Sequence, residues 1–318
     1  MNAEISMILS RVIELAPGIR EFWLVPEHGG ELPAYSGGSH IVLSLPLPGG
    51  VRRTPYSLVG DPNDRSKWRI AVRRQEQSRG GSAWLHESAR EGQAIKVSMP
   101  ANLFPMSRLG RHHILIAGGI GVTPIVSHAR ELARLGHSFE VHYAHRAPEF
   151  GVLLDELREL AGRDVYCYVA SRGETIDFRK TLSGRPLGTH AYLCGPQGMV
   201  EDFHKTARDM GWPDTHVHSE RFLAPPPGET FNVKLARSGR EVAVAGDQSM
   251  LEALEAAGAE PPFLCRGGAC GQCETSVVAC DSTLQHNDLF LSQAERDSGR
   301  KIMPCVSRIA GGCITIDL

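Results

Sequence analysis

The chain has 318 residues, 42% of them hydrophobic and 22% charged, with a formal net charge of −2. That length holds two or three domains with sizeable cores, and the near-neutral balance excludes a nucleic-acid or anionic-membrane surface. No apolar run reaches a membrane span, no export signal precedes the early acid Glu4, and eight cysteines without export read as thiols and metal ligands, so a cytoplasmic protein is expected.

The first hundred residues read as short β-strands, such as Ile19–Val25, His40–Leu45 and Trp68–Arg73, with Gly/Pro/Asp turns between them. That pattern suggests a small antiparallel barrel. Two stretches carry chemistry. In Arg52-Arg53-Thr54-Pro55-Tyr56-Ser57 a cation, an aromatic ring and a hydroxyl share one strand, a combination that suits a flavin: charge for phosphate, a ring face and hydrogen bonds for the isoalloxazine. In Arg79-Gly80-Gly81-Ser82 two glycines bare consecutive N–H groups at a helix start, a seat for phosphate. A core tyrosine and an ordinary Gly-Gly turn explain each stretch equally well when it is taken alone.

From 113 to 222 strands and helices alternate. The apolar run His113–Ala117 is a buried parallel strand that runs into Gly118-Gly119-Ile120-Gly121-Val122-Thr123-Pro124. Thr123 is expected as N-cap and Pro124 as N1 of a helix ending at Gly136. Glycines between a strand and a helix lay bare backbone N–H groups against a pyrophosphate, although the spacing is not G-x-G-x-x-G. A second strand leads into Cys194-Gly195-Pro196, and both loops lie beyond the carboxyl ends of their strands, where open α/β sheets bind ligands. Ser171-Arg172 and Arg146 would suit a 2′-phosphate, which keeps NADPH open beside NADH. The segment closes on Glu220-Arg221-Phe222, and Ala224-Pro225-Pro226-Pro227-Gly228 reads as a stiff linker.

The remainder opens as a hairpin, Thr230–Ala236 with Glu241–Val244, and a helix capped at Ser249 and stopped at Gly258. Cys265, Cys270 and Cys273 then follow as C-x4-C-x2-C, with Cys305 about 30 residues on, the plant-type ligand spacing for a [2Fe-2S] cluster. Gly267, Gly268 and Gly271 let the loop turn in on the cluster. Zinc is the rival, but structural zinc usually takes paired short knuckles, and only one such pair is present. Cys167, Cys280 and Cys313 are expected as small apolar fillers, and His286 and Asp288 as loop residues.

In this order of parts the chain resembles the phthalate dioxygenase reductase family, the flavin/iron–sulfur reductases of Rieske oxygenases. The resemblance implies an antiparallel β-barrel flavin domain at 1–107, an α/β nucleotide-binding domain at 108–223, a linker at 224–230 and a β-grasp ferredoxin domain at 231–318. It implies FMN, with Tyr56 and Ser57 at the ring, Ala71, Val72 and Arg73 along it, and Gly80, Gly81 and Ser82 at the phosphate. Arg53 is the expected cation, although Pro55 sets it three residues before Tyr56 where the family motif has two. The resemblance further implies NADH, with Gly119, Gly121, Gly195 and Pro196 near the pyrophosphate. Thr123 and Cys194 would then lie near the nicotinamide, and Glu220 and Phe222 where nicotinamide meets flavin.

A nicotinamide gives a hydride, a [2Fe-2S] centre takes single electrons, and a flavin does both. The expected function is therefore electron transfer from NADH to a Rieske oxygenase component. A cytochrome P450 or di-iron monooxygenase as acceptor, and a redox sensor that turns nothing over, are the alternatives.

Overall fold

The computed structural model describes residues 4–47, 50–76, 79–222 and 227–318. The linker expected at 224–230 and the turn at 47–50 therefore lie partly outside the described residues. Contacts divide the chain into two compact units. The first comprises Met1–Val42, Tyr56–Arg74 and Ala89–Phe222; the second comprises Leu43–Pro55, Gln75–Ser88 and Leu223–Leu318.

The N-terminal sheet is built from β1 (Glu4–Ala16), β2 (Ile19–Pro26), β3 (Ser39–Leu47), β4 (Gly50–Ser57), β5 (Trp68–Arg73), β6 (Ala94–Ser98) and β7 (Ala101–Asn102), with the short helix α1 (Gly81–Glu87) between β5 and β6. Strand order is β4-β3-β6-β1-β2-β5, and β7 pairs with β3. Leu58, just after β4, bridges Ile70 of β5, which brings the two ends of this order together and closes the ring. β1 is the long strand that the sequence pattern leaves unmarked. Register shifts between Leu9 and Arg11 and between Glu14 and Ala16 break its alternation, so it does not carry the period-2 signature of a plain strand.

The second sheet is parallel throughout. Its elements are β8 (His112–Gly118), α2 (Val122–Leu135), β9 (Ser138–His145), α3 (Leu154–Ala161), β10 (Val165–Val169), α4 (Phe178–Leu182), β11 (Thr189–Cys194), α5 (Gln197–Asp209) and β12 (Val217–Glu220). Strand order is β10-β9-β8-β11-β12, so the winding reverses between β8 and β11. One face packs Val122, Ile125, Val126 and Ala129 of α2 against Leu115, Val141 and Tyr192. The other packs Phe178 and Leu182 of α4 and Phe203 of α5 against Ile114, Ile116 and Leu193. Continuous burial on both faces is why β8 and β11 are apolar runs rather than alternating strands.

The third sheet lies wholly in the second unit. β13 (Phe231–Leu235) and β14 (Glu241–Val244) form the expected hairpin; α6 (Met250–Ala256) follows. After the cysteine loop come β15 (Thr275–Cys280), β16 (Leu284–Gln285), α7 (Gln293–Asp297), β17 (Lys301–Ile302), β18 (Arg308–Ile309) and β19 (Cys313–Ile316). β19 returns parallel to β13, giving the order β14-β13-β19-β15-β17 of a β-grasp sheet. Phe231, Val233, Ile314 and Ile316 bury against Met250, Ala253 and Leu254 of α6.

Candidate functional site

In the second unit the four expected ligand cysteines sit around one loop. Cys265, Cys273 and Cys305 are buried and Cys270 is partly buried. The sulfurs of Cys273 and Cys305 lie 3.3 Å apart, and Leu251, Leu291, Met303 and Val306 close the apolar side. Thiol hydrogen bonds from Cys270 and Cys305 hold the Cys265 sulfur far below the ordinary thiol range, and N–H groups of Gly267 and Ala269 add to the effect against the cost of burial. Gly267 donates to Cys265 Sγ at 3.3 Å. A loop that directs backbone donors at sulfur favours thiolate, the ligand form a cluster requires. Gly268 and Gly271 both adopt φ of 73°, and a Cβ on Gly271 would overlap the Phe290 ring. Arg266 takes φ of 53° without being glycine. It is held there by a two-pronged pair with Glu255 and by stacking 3.9 Å from the Phe263 ring centre. The donor set and the folded loop thus fit a [2Fe-2S] cluster. Asp288 is a loop residue, accepting the N–H groups of Phe290 and Leu291 at 3.2 and 2.8 Å.

The same unit contains the expected phosphate turn. Gly80 has φ of 91° and stands at the start of α1, which has no side-chain cap. A Cβ on Gly80 would come within 2.7 Å of Leu47, and one on Gly81 within 2.6 Å of the Thr54 hydroxyl. Buried Ser82 accepts the Gln75 N–H at 3.0 Å. The left-handed torsion favours glycine at Gly80, and the contacts at both positions are with side-chain ends that can shift. Arg53 reaches Glu255 of α6 at 3.6 Å. Arg52, which the sequence pattern does not single out, is buried against Glu252 and Asp247 at 3.3 and 3.1 Å.

In the first unit the two glycine turns meet at the carboxyl ends of β8 and β11, at the point where the winding reverses. A Cβ on Gly121 would overlap the Cys194 carbonyl. One on Gly118 would lie 2.7 Å from both Met199 Sδ and Pro196 Cδ. The turns interlock, and only bare backbone fits between them. One expectation is corrected here. A 3-10 turn, Gly119–Gly121, precedes α2, so Gly121 is the N-cap, Thr123 lies inside the first turn and Pro124 is the third helical residue rather than N1. The Thr123 hydroxyl donates to the Ile120 carbonyl at 3.1 Å, a bond that a residue in the N-cap position does not make. The helix does end at Gly136, in the left-handed region with φ of 69°.

The β11–β12 register sets Cys194 opposite Glu220. Burial, and then the Glu220 carboxylate, push the Cys194 thiol up. Burial alone raises the Glu220 carboxyl to about 8. Its Oε2 is buried without a hydrogen-bond partner among the described residues. Phe222, two residues on, is 45% exposed. Glu220 thus places an unpartnered carboxyl oxygen beside a buried thiol at the carboxyl ends of β11 and β12. Ser57, Ala71 and Val72 are buried while Arg73 is exposed. The N–H of Ser171 bonds the carbonyl of Arg146 at 2.9 Å, so the strand ends considered for a 2′-phosphate lie side by side.

Four thiols of plant-type spacing on a β-grasp sheet, and a glycine crevice at the switch point of a parallel sheet, define an electron-transfer oxidoreductase fed by a pyridine nucleotide. Residues 95–217 match the N-terminal domain of DmmA-like dimethylamine monooxygenase subunits, and residues 233–310 match the 2Fe-2S iron-sulfur cluster binding domain. The heme-dependent oxidative N-demethylase beta subunit of Ectopseudomonas mendocina is 46% identical over the full length of both chains. The carnitine monooxygenase reductase subunit of Acinetobacter baumannii is 38% identical over 98% of this chain and 97% of its own. Among solved structures, phthalate dioxygenase reductase superposes with a TM-score of 0.90 at 32% identity, covering 99% of this chain and 98% of that one. The chain belongs to the phthalate dioxygenase reductase family, whose members combine an FMN barrel, an NADH-binding α/β domain and a C-terminal [2Fe-2S] domain. No helix among the described residues is long and apolar enough to cross a membrane.

Proposed function

We propose that this chain is the cytoplasmic reductase component of a Rieske-type oxygenase system, supplied by NADH and delivering single electrons to the oxygenase. The observation that carries the reading is the four-cysteine loop on a β-grasp sheet in a chain that aligns end to end with reductase subunits. The flavin barrel is assigned to 1–107, the nucleotide domain to 108–223, the linker to 224–230 and the ferredoxin domain to 231–318. When bound, FMN supplies acceptance of a hydride pair and release of single electrons, and the cluster supplies single-electron carriage.

The chain's own residues supply placement and charge. Backbone N–H groups at Gly119, Gly121 and Gly195 receive the pyrophosphate, with Pro196 beside them. Thr123 and Cys194 border the nicotinamide. Glu220, neutral at pH 7, donates a hydrogen bond to the carboxamide, and Phe222 shields the flavin ring. Tyr56, Ser57, Ala71, Val72 and Arg73 line the isoalloxazine, and Arg53, Gly80, Gly81 and Ser82 attend the phosphate. Cys265, Cys270, Cys273 and Cys305 hold the cluster.

A second reading keeps the relay and changes the acceptor. The 46% identity to a heme-dependent N-demethylase subunit, over the whole of both chains, favours a haem-containing demethylating oxygenase. Reduction of a purified Rieske oxygenase and of a haem N-demethylase by the chain and NADH separates the two, since only the true partner is reduced at catalytic rates. Cys270→Ser tests the relay. Flavin bleaching by NADH should persist, and reduction of a one-electron protein acceptor should fall at least a hundredfold. Acceptor reduction at the wild-type rate would overturn the proposed order.

A further inference from the structure

Helix α6 lies between the cluster loop and the segments expected at the flavin phosphate, and its carboxylates reach both. Glu252 and Glu255, three residues apart, share one face of the helix. Glu252 Oε2 accepts from Arg79 Nη1 at 2.7 Å and from Arg52 Nη1 at 3.3 Å. The same oxygen accepts the Ser249 N–H and hydroxyl, each at 2.9 Å, and Oε1 accepts the Arg53 N–H at 3.3 Å. Arg52 also bonds the Asp247 carbonyl and, at 3.1 Å, its carboxylate. Glu255 takes Arg53 on one side and Arg266 of the cluster loop on the other.

A capping box accounts for the Ser249 contacts but not for the arginines. The side chains of Glu252 and Arg52 are 5% and 8% exposed, so this is a desolvated pair whose bonds salt screens weakly. Burial raises the Glu252 carboxyl, but Arg79, the Ser249 N–H and Arg52 outweigh it and hold it below the ordinary carboxylate range. The arginines come from the end of the β3–β4 hairpin and from the residue directly before Gly80. The carboxylates come from the helix whose Leu251 lines the cysteine pocket.

We propose that Glu252, seconded by Glu255, is a positioning residue that clamps the cluster-bearing helix to the Arg52-Arg53 strand and the Arg79-Gly80-Gly81-Ser82 turn, and so sets the cluster at the phosphate end of the flavin. The proposal rests on the reductase reading and adds to it the element that fixes one electron carrier relative to the other. It also assigns Arg52 and Arg79 to the clamp, leaving the phosphate to Arg53, the backbone of the turn and Ser82.

Glu252→Gln in the full-length holoprotein tests it, with Ser249→Ala as the control that removes the hydroxyl's two bonds to Glu252 and leaves its arginine contacts in place. Hydrogen exchange at 50–55 and 79–83 reports the clamp independently of turnover. Rapid-mixing absorbance separates flavin reduction by NADH from the onward step to the cluster. The expected result for Glu252→Gln is exchange faster by tenfold or more at both segments, flavin reduction within twofold of wild type, and onward transfer slowed tenfold or more. Ser249→Ala should loosen α6 with little change in either segment or in the onward step. If Glu252→Gln does not fold, Arg79→Met, which keeps the cap intact, is expected to give the same pattern in weaker form. Unchanged exchange and onward transfer in the folded variants, or identical behaviour of Ser249→Ala and Glu252→Gln, would overturn the clamp. A wild-type protein whose flavin NADH does not reduce would sink the reductase reading instead.

Discussion

At the cluster loop, Gly268 and Gly271 lie in the left-handed region, both with φ of 73°; at the nucleotide crevice, Gly118 and Gly121 have ordinary torsions of −115° and −61°. The first pair is glycine because of how the chain must turn, with the Phe290 ring a further obstacle at Gly271, and the second because of what stands opposite alone. Gly119 is intermediate, with φ of 55° and open space where its Cβ would project. Torsional need can be guessed from a loop tightened around ligands. Contact need cannot, because the Cys194 carbonyl that excludes a Cβ at Gly121 is more than seventy residues away in sequence.

Substitutions to alanine break this comparison apart. Gly121→Ala should have the largest effect, about 2–3 kcal/mol of stability, because backbone rather than a flexible side chain must move. Chemical denaturation reads the loss, and NADH affinity should fall with it. Gly271→Ala is expected to cost about 1–2 kcal/mol from the left-handed torsion, partly relieved if the half-exposed Phe290 ring swings aside. Cluster absorbance should survive in most of the protein. Gly119→Ala should cost about 1 kcal/mol, the torsional term without a clash. Were Gly119→Ala as damaging as Gly121→Ala, the distinction between turning and crowding would fail.

The last effect concerns pH. The folded Glu220 carboxyl titrates at about 8 against 4.5 for the ordinary group, so between those values the folded state holds a proton that the unfolded chain has lost. Its contribution to stability is complete below pH 4.5 and is lost as pH rises through about 8. Glu220→Gln should flatten the fall in melting temperature between about pH 5 and 8. On the acid side the sign reverses. Burial lowers His113, His128 and His218 to about 4, so stability should decline as pH falls from 6.5 toward 4.

The cluster was legible in the sequence because its donor atoms are side chains at fixed spacing. The parallel sheet was legible because strands buried on both faces leave unbroken apolar runs such as His113–Ala117. The capping box at Ser249 was legible too, yet its glutamate conceals a second set of partners. Nothing local to Glu252 marks Arg52, Arg53 and Arg79, which come from some 170 to 200 residues earlier in the chain. The same distance explains Arg53: a cation near Tyr56 invites pairing with a phosphate, while the fold sets a carboxylate beside it. Glu220 was reached only through family likeness, since its orphaned oxygen is a property of packing.

The pairing of Cys194 with Glu220 depends on strand register alone. Adding or removing residues in the α5 connection leaves that alignment intact, whereas a one-residue insertion within Val217–Glu220 would send the carboxyl to the opposite side of the sheet. Length variation in this lineage should therefore gather between the two strands and spare the four residues of the second.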